Sequence, residues 1–470
     1  MGSVAVSLLL VLGLLLLVMM AVEYAKGEED LLSLRNMFLL GFIVFQLTSG
    51  AIPVLFDYTD QYVYQDLQGI AVHYTVWTLL FVGVFLYAYK KGWGAKQLAR
   101  STPALPFPPG QGAIFVLIFL CLGVGSAFRF VPIPLIGIIT DMVGLGLLAI
   151  SAGLAAWFWA RRPLDPIAAG LLGVVTIGAG LISQAGNFGR RPLVAVAAAA
   201  AWGAYFSRWR YSKPTALMFR LTVLSLPAVL ALAALSTVRG GIREMDFSVR
   251  GTAELILSGD PEEGVIKLLG GQGTGHKSMW LMENYPEPYA YDTLLMARYI
   301  FMFPIPRDWW PAKPEPLSTR IAVQAQLKGV DQDRLTIGPG VIGHAAGDGG
   351  IWVVPIYAVL LALVLRYGDE LMRNHPFQPL VVMPVGCSLG QVLGLSRGET
   401  SVFLGNFLIA AVGTYIFFFI VGRFFVRNAP ALPAGDDDGY DPYEFMTDEE
   451  REALVELEED IPYGERPVGS

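Results

Sequence analysis

Uncharged apolar runs of about 18 to 22 residues, long enough to cross a hydrocarbon core of about 30 Å, recur along most of the chain. They fall at 4–22, 37–56, 70–88, 112–127, 142–160, 167–181, 193–206, 221–235, 351–365, 380–395 and 402–421, separated mostly by short polar connections. The pattern predicts an all-α, polytopic membrane bundle of about eleven spans. No Lys or Arg precedes the first run and its apolar core is longer than a signal-peptide core, so it reads as a span.

One connection breaks the rhythm. Residues 236–350 form a single polar segment of roughly 115 residues, where helix connections usually take about 2–8. Its Trp280, Tyr285, Tyr289, Tyr291, Trp309 and Trp310, with the apolar stretch 294–304, argue against disorder. A small helical cap is expected, with short helices at 252–257 and 317–327, lying against the mouth of the bundle. The chain then divides into a bundle at 1–235, a large loop at 236–350, further spans at 351–426 and a tail at 427–470.

Composition agrees with a membrane chain: 54% of the 470 residues are hydrophobic and 16% charged, against about 25% charged in soluble proteins. Charge also orients the bundle. Lys90, Lys91, Lys96 and Arg100, then Arg161 and Arg162, then Arg208, Arg210 and Lys213, then Arg366 and Arg373 all fall on one side of an eleven-span chain. Lys and Arg are retained in the cytoplasm, so the N-terminus is expected outside and the C-terminus inside. Arg129, the pair Arg190 and Arg191, and Arg397 oppose the rule by lying in short outer connections. The net charge of −7 conceals a division, because residues 431–470 hold fourteen acidic and two basic residues. The tail is therefore −12 and the body, with 31 basic and 26 acidic residues, +5.

Two chemistries find little footing. The string GGQGTGHKS at 270–278 imitates a phosphate loop, but His276 separates Gly275 from Lys277 and no strand precedes it, so a glycine-rich turn is expected. Cys121 and Cys387 lie singly inside spans, and His73, His276, His344 and His375 lack ligand spacing, so no metal is expected.

The informative stretch runs from Tyr285 to Gly350. It reads YPEPYAYDTLLMARYIFMFPIPRDWWPAKPEP, then about twenty polar residues, then TIGPGVIGHAAGDGG directly before a span. Arg298, Arg307, Lys313 and Arg320 stand among indole rings and prolines. Guanidinium groups grip phosphate oxygens and aromatic faces stack on sugar rings, which suits a phosphorylated glycan. A membrane-surface loop enriched in Trp, Tyr and Arg has the same composition.

These elements resemble the oligosaccharide repeat-unit polymerases of the Wzy type. The resemblance is carried by Tyr289 and Tyr291, by Ile305, Pro306, Arg307, Trp310, Pro311, Lys313 and Pro314, by the glycine-rich segment 338–350 and by Arg397 with Gly398. It covers roughly the second half of the chain. It implies a glycosyltransferase of the bacterial cytoplasmic membrane that transfers a growing glycan from a polyprenyl diphosphate to another lipid-linked repeat unit, without cofactor, metal or nucleic acid. A chain-length regulator and a glycan flippase are the implied companions, with membrane lipid around it. Arg307 and Arg397 would stabilise the diphosphate leaving group. Arg190 and Arg191 would assist, Arg298, Lys313 and Arg320 would hold phosphate or acidic sugar, and Trp309, Trp310 and Tyr291 would stack on the acceptor. The family pattern has Gly-Glu where this chain has Gly343 and His344, so His344 takes the place of a carboxylate base; a polar residue capping the next span is the alternative.

Other functions fit parts of this pattern. An O-antigen ligase uses the same donor with another acceptor. A glycosyltransferase with carboxylates in its first outer loop would use Asp57 and Asp60. A lipid-linked glycan flippase or transporter usually shows two related halves and midplane charges, and this chain shows neither in its sequence.

The tail carries a capping-box pair, Thr447 and Glu450, before a short helical stretch, between segments of flexible composition. A chain truncated before residue 431 is expected to keep its membrane abundance and polysaccharide length, checked by immunoblot and glycan gel.

Overall fold

The computed structural model describes residues 2–56, 62–104, 109–131, 136–184, 190–212, 215–217, 219–220, 273–326 and 336–426, and the structural statements below concern these residues. They form helices and no strand. In chain order the helices are α1 (Gly2–Ala25), α2 (Leu34–Phe42), α3 (Ser49–Leu55), α4 (Leu67–Lys91), α5 (Trp93–Ser101), α6 (Gln111–Phe130), α7 (Gly137–Arg161), α8 (Pro166–Ser183) and α9 (Arg190–Ser207). After residue 272 come α10 (Thr274–Asn284), α11 (Leu295–Met302), α12 (Leu317–Gln324), α13 (Gly340–Asp348), α14 (Val353–Asn374), α15 (Pro379–Gly386), α16 (Leu389–Gly394) and α17 (Thr400–Val426).

Local chemistry sets many of the ends. Asp66 caps α4 by accepting from the Gly69 N–H at 2.9 Å, and left-handed Gly92 stops it just after Lys90 and Lys91, whose charges suit the negative helix end. Asp165 caps α8 ahead of Pro166, which has no N–H to orphan. Between α2 and α3 the coil continues as a π-turn, Ile43–Thr48, so 34–55 is one span with an irregular middle.

Eight helices are long and apolar enough to cross a membrane. Six expected spans in the first half match α1, α2–α3, α4, α6, α7 and α8; α14 with its leading turn and α17 match two more. The count differs from eleven for three local reasons. The expected span 193–206 is a shorter apolar helix, 380–395 is broken into α15 and α16 with Pro384 inside the first, and 221–235 lies outside the described residues. The orienting Lys213 and the expected helix 252–257 lie outside them too.

The α7 helix is buried on nearly every side and touches α6, α8, α9 and α17. Lipid-embedded helices gain little from excluding water, so close packing through small residues holds them. A Cβ on Gly153 of α7 would stand 2.9 Å from the Ala199 carbonyl of α9 and 2.7 Å from Met383 Sδ. The α1, α6 and α8 helices instead leave most of their apolar surface exposed, as lipid-facing helices do.

The long segment is a helical cap in its described part, with α10 against α3 and α4, α11 against α17, and α13 wholly buried between α10 and α14. The expected helix 317–327 is seen as Leu317–Gln324. One expectation is corrected: 274–278 is no turn but the first part of α10, because Gly273 adopts a left-handed conformation and starts the helix one residue later.

At the opposite end of the bundle, Asp369 of α14 accepts the first N–H groups of α2, from Leu34 at 2.7 Å and Arg35 at 3.1 Å, and the Tyr89 hydroxyl at 2.6 Å. Arg35 pairs with Glu23 and lies 3.7 Å from Glu29, which Arg373 reaches at 2.5 Å. This network ties the α1–α2 connection to α4 and α14. Asp369→Ala would leave the Leu34 and Arg35 N–H groups unmet and take from the Tyr89 hydroxyl its nearer acceptor, and is expected to destabilise the fold by about 3–5 kcal/mol, read as a lower Tm in detergent, with Asp369→Asn losing less.

Candidate functional site

The cap end holds a buried charged hub assembled from distant segments. His344 of α13 has no exposed surface; its Nε2 lies 2.8 Å from Glu399 Oε1 and its Nδ1 3.9 Å from Asp348 Oδ2. These are ion-pair distances without hydrogen-bond alignment. Glu399, in the connection before α17, also accepts from the Ser318 N–H at 2.7 Å and the Ser401 hydroxyl at 2.7 Å. Asp348 accepts from the Met296 N–H at 2.7 Å and from the Tyr357 hydroxyl, while its Oδ1 has no partner. One imidazole thus joins the starts of α11, α12 and α17 through two carboxylates.

The environment fixes the protonation tendencies. Burial pushes His344 down, but the charges of Glu399 and Asp348 more than reverse it, so the ring is held above its ordinary value. Burial pushes Glu399 up, and His344, Ser401 and Ser318 pull it below the usual carboxylate value. For Asp348 burial wins, and its carboxyl is pushed up to about 6.

The expected site residues stand around this hub in different ways. Tyr299, buried on α11, feels several charges: burial raises its hydroxyl, Glu399 raises it further, and Arg307 lowers it. Arg307 is exposed and donates to the Lys313 carbonyl at 3.2 Å. The Lys313 ammonium is buried, donating to the Phe303 and Ile305 carbonyls at 3.1 and 2.9 Å and lying 5.3 Å from the Tyr299 ring centre. The Ile-Pro-Arg…Trp-Pro-x-Lys-Pro string is therefore one closed turn. Its prolines lack N–H donors, and Lys313 supplies them.

Arg298 and Arg320 share one counter-ion, Asp292; Arg320 reaches it at 2.8 Å. Tyr291 stacks on Tyr285 with ring centres 6.5 Å apart and lies over Gly350. Trp309 is 59% exposed, and half-buried Trp310 sits in the turn through its N–H to the Pro306 carbonyl at 3.2 Å. Arg397 lies over the Phe45 ring at 5.3 Å, two residues before Glu399. Arg129, another cation against the charge rule, is paired with Asp141 and donates to the Ser183 carbonyl at 3.2 Å, so it is neutralised within the bundle.

Arg190 begins α9 and Arg191 comes next, and their side chains are outside the described set, as are Asp57 and Asp60. His344 does not cap the following span; it lies in the middle of α13, facing carboxylates. His276 is buried and held down to about 3, first by burial and then by Lys277, so it is a neutral ring. No cluster of three His, Cys, Asp or Glu side chains suited to a metal occurs among the described residues.

Sequence reasoning missed Glu399 and Asp348. Glu399 comes directly after Arg397 and Gly398, and an acid beside the start of an apolar span was the available signal. The partner of that acid lies 55 positions away, beyond a whole span, and no spacing rule points to it.

Glu399→Gln is expected to cost about 3–5 kcal/mol, because it removes the nearer of the two carboxylates that face the buried imidazole. Glu399, held low, contributes stability that is present above about pH 4.3 and lost as pH falls through its lowered native value; His344, held high, contributes stability that is full below about pH 6.5 and lost as pH rises through its raised native value. The Tm gap between wild type and Glu399→Gln should be widest between these limits, and a gap independent of pH removes the ion-pair account. No family of known proteins, curated protein or solved structure matches this chain.

Proposed function

We propose that the chain is a membrane glycosyltransferase that polymerises polyprenyl-diphosphate-linked oligosaccharide repeat units on the outer face of the bacterial cytoplasmic membrane. The observation that carries this reading is the position of Arg397: a cation at the cap end of the bundle, two residues from a buried carboxylate clamp, where a lipid-borne anion at the membrane edge would meet it.

The reaction needs little beyond orientation and charge. The bond between the sugar C1 and the diphosphate oxygen breaks, its electron pair leaving on the diphosphate. The acceptor hydroxyl oxygen bonds to C1 and its proton passes to solvent. Charge grows on the leaving oxygen, and fixed guanidinium groups lower that barrier. Arg397 and exposed Arg307 take this role. Arg298 and Arg320, already sharing Asp292, add one net positive charge for acidic sugar or phosphate. Exposed Trp309 and Tyr291 offer ring faces to the glycan. His344, without exposed surface and between two carboxylates, serves as a positioning residue for the Arg397 connection.

Lys313 belongs to the same picture indirectly. Its ammonium closes the turn that presents Arg307 and Trp309, so its contribution is to their placement. Arg397→Ala or Arg307→Ala in the native host is expected to abolish long-chain polysaccharide while membrane abundance stays normal. Normal polymer length in both variants would sink the assignment, as would reconstituted protein that moves the lipid-linked unit without lengthening it.

A further inference from the structure

Arg397 stands between α16 and α17, in a connection gripped on both sides. On one flank the Ser396 carbonyl accepts from Gln46 Nε2 at 2.6 Å. On the other, the Gly398 carbonyl accepts from the Gly340 N–H at 3.0 Å. Gly340 has φ +65, and a Cβ there would collide with Gln46, with the Ser396 carbonyl and, at 2.9 Å, with Thr274. Only glycine allows α13 to come this close.

Gln46 belongs to the π-turn Ile43–Thr48, and so does Phe45, whose ring lies under Arg397. A π-turn inserts one residue into a helical coil and re-aims the side chains beside it, and such turns are frequent at functional sites. Gln46 is wholly buried inside an apolar span, where an amide is costly unless every polar atom is used. It is used: its Oε1 accepts from the Tyr74 hydroxyl at 2.6 Å, and the same hydroxyl lies 2.9 Å from the Gln46 carbonyl. The opposite amide orientation would set two acceptors, Oε1 and the Ser396 carbonyl, against each other. The donor therefore faces the connection.

We propose that Gln46, oriented by Tyr74, is a positioning residue for Arg397, with the π-turn supplying both the hydrogen bond to Ser396 and the ring beneath the guanidinium. This deepens the polymerase reading and rests on it for the role of Arg397, though not for its placement. The hydrogen bond fixes the main chain immediately before Arg397, and Phe45 fixes the side chain. With the Gln46 donor gone the connection loses its hydrogen bond to the π-turn and keeps local bonds of its own, such as the Arg397 N–H to the Gly394 carbonyl at 3.0 Å and the Thr400 hydroxyl to the Leu395 carbonyl at 2.8 Å, with the Gly340 and Glu399 anchors beyond the arginine.

Gln46→Met keeps length and apolar volume but removes the donor, and Tyr74→Phe removes one hydroxyl. The full chain in nanodiscs, supplied with the host's undecaprenyl-diphosphate-linked repeat unit, would be assayed for glycan elongation. The expected result for Gln46→Met is a fall of about 10- to 100-fold in kcat with KM changed less than about threefold, the cost of displacing a positioned group by about 1 Å. Tyr74→Phe should fall in the same direction by less. In an Arg397→Lys background, Gln46→Met should cost less than about threefold more, because coupled residues are not additive. An unchanged kcat in both single variants, or full multiplicative loss in the double variant, overturns the proposal.

A second measurement needs no turnover. Phenylglyoxal labelling mapped by peptide mass spectrometry should show the Arg397 rate altered at least about threefold in Gln46→Met or Tyr74→Phe, with Arg298 and Arg307 unchanged, as expected for a local coupling. An unchanged Arg397 rate in both variants overturns the positioning role. If the wild type makes no polymer, the polymerase reading falls, and the labelling alone decides whether Gln46 places Arg397.

Discussion

An imidazole with no access to water can find partners only where it stands, and the cap end of this bundle is organised around that requirement. His344 is flanked by Glu399 and Asp348, and each carboxylate in turn draws in donors from other segments: Ser318 and Ser401 to one, Met296 and Tyr357 to the other. Three short helices, α11, α12 and α13, meet there with α14 and the start of α17. None of the three is long enough to be stable alone, since isolated helices shorter than about 12–15 residues are marginal in water. The ionic hub, with a small hydrophobic core of Tyr285, Tyr299, Trp280 and Ile321 beside it, gives them one arrangement.

The opposite end meets a related constraint with different parts. There Asp369 receives the unpaired N–H groups that begin α2, and arginines with Tyr89 complete the network. Apart from these networks, close approach of small residues also holds the helices together. Gly153 against Ala199 and Gly275 against Gly50 bring backbones nearer than any larger residue permits. A bundle tied by charge at both ends and by small residues in the middle leaves its irregular connections as the sites where cations are presented.

Those cations are unequal. Lys313 is consumed by a proline-rich turn, Arg129 by Asp141, and Arg298 and Arg320 share Asp292. Arg307 is exposed on the turn that Lys313 closes, and Arg397 rests over Phe45 in a connection that the hub and the π-turn grip from opposite sides. The placement of Arg307 and Arg397 is thus enforced by their surroundings, the Lys313 ammonium for the one and the hub with the π-turn for the other.

Much of this was legible in the amino-acid pattern. Apolar runs of spanning length marked eight long helices, because a lipid-facing helix must be apolar over its whole length. The Pro-Arg-Trp-Lys string and Arg397 were visible as cations out of place. The break at Pro384 was foreseeable only in part, and the start of α10 not at all, since a left-handed glycine opening a helix, as Gly273 does, has the same local sequence as one inside a turn. Glu399, Asp348 and Gln46 were not singled out. Their partners lie one or several spans away, and a contact between helices leaves no period in the sequence. Hydropathy by itself determined that the chain is a helical membrane bundle, because burial in lipid constrains every residue of a span. Which cation is held, by what and how firmly was decided only by tertiary structure, because ion pairs and buried amides depend on distances that chain order does not set.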